Sequence, residues 1–295
     1  MSGGMNMEER TFNTKQVNLN YVEKGVSDIS ILLLHGGSSR WQTFRDIIDD
    51  LSVHFHVYAI DLRGHGKSGR TENKYKMQDY VPDVREFIEK CIKKPTIIIG
   101  HSLGGMIAIL IAAYYPSIVK ALIIGDSPVS LDVLRSHSES QKDMTMLWRE
   151  WSKNLSLDEI VEKLKAMQVP VPEREGTVSA AEAYGENHPW FEFMAENLKQ
   201  NDPNMLSAII DDFDNTYEEY DVERLFPLIK CPILIVKGDS GQGSLIRDTD
   251  IGFIKKLNND VKHVEIKGVG HALYMQDKQS FIDAILPFIN KNAQN

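Results

Sequence analysis

Short runs of β-branched and other apolar residues alternate along the chain with stretches whose apolar positions recur every three or four residues. The short runs predict strands at residues 16–22, 29–34, 56–60, 96–99, 121–124, 233–236 and 262–266. The longer spacing predicts helices near residues 40–51, 78–91, 103–115, 247–257 and 278–289. Residues 31–34 and 97–99 are continuously apolar rather than alternating. That pattern marks strands buried on both faces, as happens when helices cover both sides of a parallel sheet. The rhythm therefore predicts an α/β fold with a mostly parallel central sheet flanked by helices.

The rhythm breaks between residues 130 and 222. No convincing strand pattern occurs there, several helical patterns do, and Pro170, Pro172, Pro189 and Pro203 punctuate them. The stretch predicts a helical insertion, a cap or lid, between two strands of a core formed by residues 1–129 and 223–295. Trp148, Trp151 and Trp190 lie in it with Met144, Met146, Met167, Phe191, Phe193 and Met194. Most of these side chains are expected to pack cap helices together. A subset, with Trp148 the candidate here and Trp41 in the core, is expected to line an apolar substrate pocket.

Composition narrows the possibilities further. Hydrophobic residues at 42% and charged residues at 25% are ordinary for a globular chain. Lys+Arg 33 against Asp+Glu 42 gives a net charge of −9, which argues against a general grip on nucleic acid or anionic lipid. Cys91 and Cys231 are too few for a disulfide scaffold or a cysteine-based zinc site. No signal-like apolar stretch opens the chain, and the run 106–115 is about half a membrane span, so a cytoplasmic enzyme is expected.

Four motifs carry chemistry. Gly100-His101-Ser102-Leu103-Gly104 follows a buried strand and precedes a helix, the context of a nucleophile elbow. His35-Gly36-Gly37-Ser38 ends another buried strand, where the Gly37 N–H can serve as one oxyanion donor and the Leu103 N–H as the other. His35 itself is expected to shape that loop rather than to react. The glycine-rich run 61–69 lacks the spacing of a phosphate loop and is expected to buttress the same face. Gly268-Val269-Gly270-His271 follows the last strand, and of nine histidines His271 has the best claim to be the general base.

On these motifs, in this order, the chain resembles the α/β-hydrolase superfamily, in its serine-esterase and lyase-like branch with a helical cap, over about residues 16–289. The resemblance implies a Ser-acid-His triad and no cofactor or metal. Dehalogenases and epoxide hydrolases of this fold are similar too but carry aspartate at the elbow, and Ser102 argues against both. The acid departs from the commonest family pattern, in which an aspartate follows the penultimate strand as G-x-x-D. Here Gly241 occupies that place, and Asp239 lies two positions early. Asp126, at the end of the strand after the nucleophile helix, matches members that carry their acid there. Asp126 is favoured over Asp239, and both stay open.

The expected reaction is attack by Ser102 on a small neutral ester, with His271 as base, Asp126 as its orienting acid, and Gly37 and Leu103 holding the oxyanion. C–C bond, lactone or perhydrolase chemistry on the same groups is an alternative, as is a slow-turnover sensor of a small acyl ligand. Residues 202–223 hold eight carboxylates and no Lys or Arg. A solvated face is the ordinary reason for such a run. Facing the cleft, they would favour neutral or cationic substrates.

Overall fold

The computed structural model describes residues 7–170 and 176–294. Pro172 and the first six residues of the N-terminal stretch lie outside them. The apolar runs become the central strands: β1 (Arg10–Asn13), β2 (Asn18–Lys24), β3 (Ser30–Leu34), β4 (His56–Ile60), β5 (Thr96–His101), β6 (Val119–Gly125), β9 (Ile233–Gly238) and β10 (Val261–Ile266) form one sheet of eight in the order β1-β2-β4-β3-β5-β6-β9-β10. β1 and β2 are antiparallel to their neighbours, and every other pair is parallel. Among the described residues the remaining strands, β7 (Gln168–Pro170) and β8 (Thr177–Ser179), pair only with each other.

Successive side chains of a strand point to opposite faces, and the core divides accordingly. Leu32, Leu34, Ile98, Leu122, Ile124, Ile233 and Ile235 pack on one face with the helices Met77–Phe87 and Leu103–Tyr114. Ile31, Leu33, Ile97, Ile99, Ala121, Ile123, Leu234 and Val236 pack on the other with Arg45–Leu51 and Lys278–Ala293. Both faces are dry, which accounts for the unbroken apolar runs. Chain order reverses around β3, which lies between β4 and β5. In open α/β sheets the crevice at the carboxyl ends of the strands beside such a reversal is where ligands bind. The loops after β3 and β5 open there.

Between β6 and β9 the described residues form eight α-helices, from Leu131–Ser140 to Val222–Leu225, and the β7–β8 hairpin. The hairpin corrects the expectation of an insertion without strands. Its strands are three residues each, too short for periodicity to register. Ile160, Leu164, Ala180, Phe191, Ala195 and Leu198 form a core of the insertion's own. Ser156 and Glu159 close a capping box that starts one of its helices. Polar contacts fix the insertion to the sheet domain. Arg40, in the loop after β3, donates to Asn197 at 2.8 Å and pairs with Glu196. The Asp202 N–H donates to the Gly64 carbonyl at 2.7 Å, and the Tyr220 hydroxyl to the Pro128 carbonyl at 2.7 Å.

Candidate active site

Ser102 sits between β5 and the helix Leu103–Tyr114 at φ 51°, ψ −119°. A non-glycine residue held there stores about 1–3 kcal/mol of strain, and such residues cluster at functional sites. Ser38 (φ 53°), in the loop after β3, and Asp126 (φ 42°), directly after β6, share the positive φ. The turn is tight because glycines permit it. A Cβ on Gly104 would approach the Leu34 carbonyl oxygen to 2.1 Å, and one on Gly100 would meet the Gly104 backbone at 2.4 Å. Strand and helix therefore touch through bare backbone, and Ser102 is raised at their junction. Its N–H donates to the Gly125 carbonyl at 3.0 Å, joining the elbow to the end of β6.

Asp126 directly follows β6 and is fully buried. Four donors surround its carboxylate. Oδ1 accepts from the Gly238 N–H at 3.1 Å and the Ser244 hydroxyl at 2.5 Å. Oδ2 accepts from the Leu245 N–H at 2.9 Å and from His271 Nδ1 at 2.7 Å. Burial pushes the Asp126 carboxyl up, but the His271 hydrogen bond and charge, with Ser244 and Leu245, outweigh it and hold the group below its ordinary value. Asp239 does not meet His271. It is half-buried, its carboxylate accepting from the Gly241 N–H at 2.8 Å and the Gly268 N–H at 3.3 Å, and it links the turn after β9 to the turn after β10. The structure thus brings Asp126, not Asp239, to the imidazole.

Gly37 is exposed, and nothing lies within 4 Å of where its Cβ would stand. Leu103 opens its helix, where the first N–H groups have no carbonyl to bond. Among the described residues, neither N–H donates to another group of the chain. His35 is buried, its Nδ1 donating to the Gly36 carbonyl at 2.7 Å while Nε2 accepts from the Leu62 N–H at 3.0 Å. It ties the loop after β3 to the loop after β4. Asp61 accepts from the Trp41 N–H at 2.7 Å, the Asn20 side chain at 2.8 Å and the Lys67 N–H at 3.0 Å, so the 61–69 run buttresses this face.

Trp41 corrects an expectation. It is 2% exposed, packs with Phe44, Ile47 and Ile48, and donates its indole N–H to Glu9, so it is core and offers no surface to a substrate. Trp148 is wedged between the insertion's core and the sheet's, its indole nitrogen buried without a partner among the described residues. The acidic stretch turns to structural tasks. Asp202 caps a helix and accepts from Tyr75, and Asp211 and Asp214 pair with Arg149 and Arg135. The sequence reading passed over Ser244 and Leu245, which lie more than a hundred residues from Asp126, and no local pattern could reveal them.

Three histidines around this face are buried and un-ionised. Burial, with the charge of neighbouring imidazoles, lowers His35 to about 4, His65 to about 3 and His101 to about 4. Unfolded, each titrates near pH 6.5. Between about pH 6.5 and 4 the unfolded chain therefore binds more protons than the folded one, and stability falls as the pH drops through that window. Three such groups give a slope approaching about 4 kcal/mol per pH unit. Urea unfolding at pH 7, 6 and 5 should show the midpoint falling steeply, and His35→Gln should flatten the fall. A midpoint unchanged from pH 7 to 5 would contradict the account.

Among the described residues, no group of three or more His, Cys, Asp or Glu is arranged to hold a metal ion, and no helix is long and apolar enough to cross a membrane. The family model described as the alpha/beta hydrolase fold matches residues 29–278. A 2-(acetamidomethylene)succinate hydrolase of Mesorhizobium japonicum is 24% identical over 93% of this chain and 92% of its own length. Epoxide hydrolase 4 of Mus musculus is 34% identical, but over only 33% of this chain and 28% of its own. The crystal structure of a hydrolase from Pseudomonas aeruginosa superposes with a TM-score of 0.72 at 17% identity, covering 98% of this chain and 99% of that one. With the sheet order, the elbow and this match over most of its length, the chain belongs to the alpha/beta hydrolase fold family.

Proposed function

We propose that this hydrolase cleaves a small, neutral carboxylic ester through an acyl-enzyme on Ser102. The observation that carries the reading is the 2.7 Å contact between His271 Nδ1 and a buried Asp126 carboxylate whose other positions are filled by three donors. A carboxylate only accepts, so Nδ1 carries the ring proton and Nε2 presents its lone pair. In that tautomer His271 takes the Ser102 proton as the hydroxyl oxygen attacks the acyl carbon. The carbonyl oxygen becomes an oxyanion, held by the Gly37 and Leu103 N–H groups and favoured by the helix N-terminus beneath Ser102. His271 then gives its proton to the departing alkoxide. Water, activated by the same ring, hydrolyses the acyl-enzyme and restores Ser102. Residues 130–222 act in this reading as the cap over the site.

A second reading, cleavage of an amide on the same groups, is favoured by the Mesorhizobium japonicum relative, which matches over nearly its whole length and whose name describes an acetamido compound. A fluorophosphonate probe, followed by peptide mass spectrometry, tests the nucleophile: one equivalent is expected, on Ser102. Paired p-nitrophenyl acetate and p-nitroacetanilide then separate the readings, with faster turnover of the ester expected. Faster turnover of the anilide selects the amide reading, and a probe that labels another residue overturns both.

A further inference from the structure

His101 occupies the variable position of the elbow, beside Ser102, and no step of the reaction above uses it. The residue is only 6% exposed, and its ring meets both loops that must be held against the serine. Nε2 lies 2.8 Å from the His271 carbonyl oxygen, which can only accept, so Nε2 carries the proton and donates. The ring lies obliquely over that of His271, centroids 4.8 Å apart at 35°, and packs edge-on against Tyr274 at 5.3 Å. On its other side the backbone of the loop after β3 presses against it. A Cβ on Gly36 would stand 3.1 Å from His101 Nδ1 and 3.2 Å from Ser102 Cβ.

His271 lies in the loop between β10 and the short helix Leu273–Gln276, outside any regular element. Asp126 fixes one atom of its ring, and a single fixed atom leaves the imidazole free to swing about that contact. A second tether, on the main chain of the same residue, removes the swing.

We propose that His101 is a positioning residue: its Nε2–H bond to the His271 main chain, with its packing against Gly36, sets the base and the oxyanion loop in register with Ser102. The inference rests on the triad reading of Ser102, Asp126 and His271. Burial holds the ring un-ionised down to about pH 4, so the donor persists at working pH and places no second charge beside the imidazolium that forms on His271.

The test compares His101→Leu, which removes the donor and keeps an apolar side chain, with His101→Gln, which restores an N–H at similar reach, and His101→Asn, whose amide is too short. Steady-state kinetics on p-nitrophenyl acetate are measured for each variant, with Ser102→Ala as reference. His101→Leu and His101→Asn should lose about 10²-fold in kcat, the cost of misplacing a reacting group by about 1 Å, with KM little changed. His101→Gln should recover most of the loss. If His101→Leu does not fold, the Gln and Asn pair decides. Wild-type kcat in the Leu or Asn variant, with Ser102→Ala inactive, overturns the positioning role alone. Equal losses in Gln and Asn also overturn it. Turnover by Ser102→Ala overturns the triad reading, and this inference falls with it.

Discussion

Ser102→Ala should lower kcat on p-nitrophenyl acetate by about 10⁶-fold, with the fold intact. The size follows from the nucleophile and its base acting as a unit, so that removing one member loses nearly the whole contribution of both. A residual acceleration of about 10³–10⁴ over water should survive, because the N–H groups of Gly37 and Leu103 are main-chain and remain in place. Among the described residues the Ser102 hydroxyl has no hydrogen-bond partner, so truncating it strands no buried group. Alanine also meets the same backbone demand at φ 51° that serine does. Thermal unfolding should accordingly be unchanged, and lost turnover can be read as lost chemistry. Turnover within tenfold of wild type would place the nucleophile elsewhere.

Asp126→Asn should cost about 10⁴-fold in kcat, whereas Asp239→Asn should cost less than about twofold. An amide has one acceptor oxygen where the carboxylate has two. Whichever way it turns, its NH₂ faces donors, either His271 Nδ1–H and the Leu245 N–H or the Gly238 N–H and the Ser244 hydroxyl. If the ring yields, its proton moves to Nε2 and the lone pair no longer faces the serine. If the loop yields, buried donors go unpaired at about 1–3 kcal/mol each. Stability should therefore fall together with kcat, and turnover is compared at equal folded fraction. Asp239 has no such consequence, since its two N–H partners, Gly241 and Gly268, are exposed glycines in the turns after β9 and β10. A larger loss in Asp239→Asn than in Asp126→Asn would reverse the assignment.

What could be read from the chain and what could not have physical reasons. β3 and β5 are legible because both faces of each are buried and the demand for apolar residues is unbroken. β1, reading Arg10-Thr-Phe-Asn13, is an edge strand with little buried, and its pattern says nothing. The elbow is legible because its glycines answer a local steric demand. The partner of His271 is not local: Gly241 empties the commonest position, and only the closing of β6 onto β9 brings Asp126 under the imidazole. Trp41 shows the opposite limit. A tryptophan just after an oxyanion loop suits a pocket and a core equally well in sequence, and burial alone decides between them.

The position of the acid on β6 has a consequence for how the molecule divides. Ser102, Asp126 and His271 all precede or follow the insertion, which leaves the core after Asp126 and returns before β9. The groups proposed to react and the insertion proposed to cover them are thus separable cassettes. Residues 130–222 can be exchanged for a foreign insertion without removing any side chain proposed for bond cleavage, while Arg40, which grips Asn197 and Glu196, marks the contact that a transplanted cover must recreate.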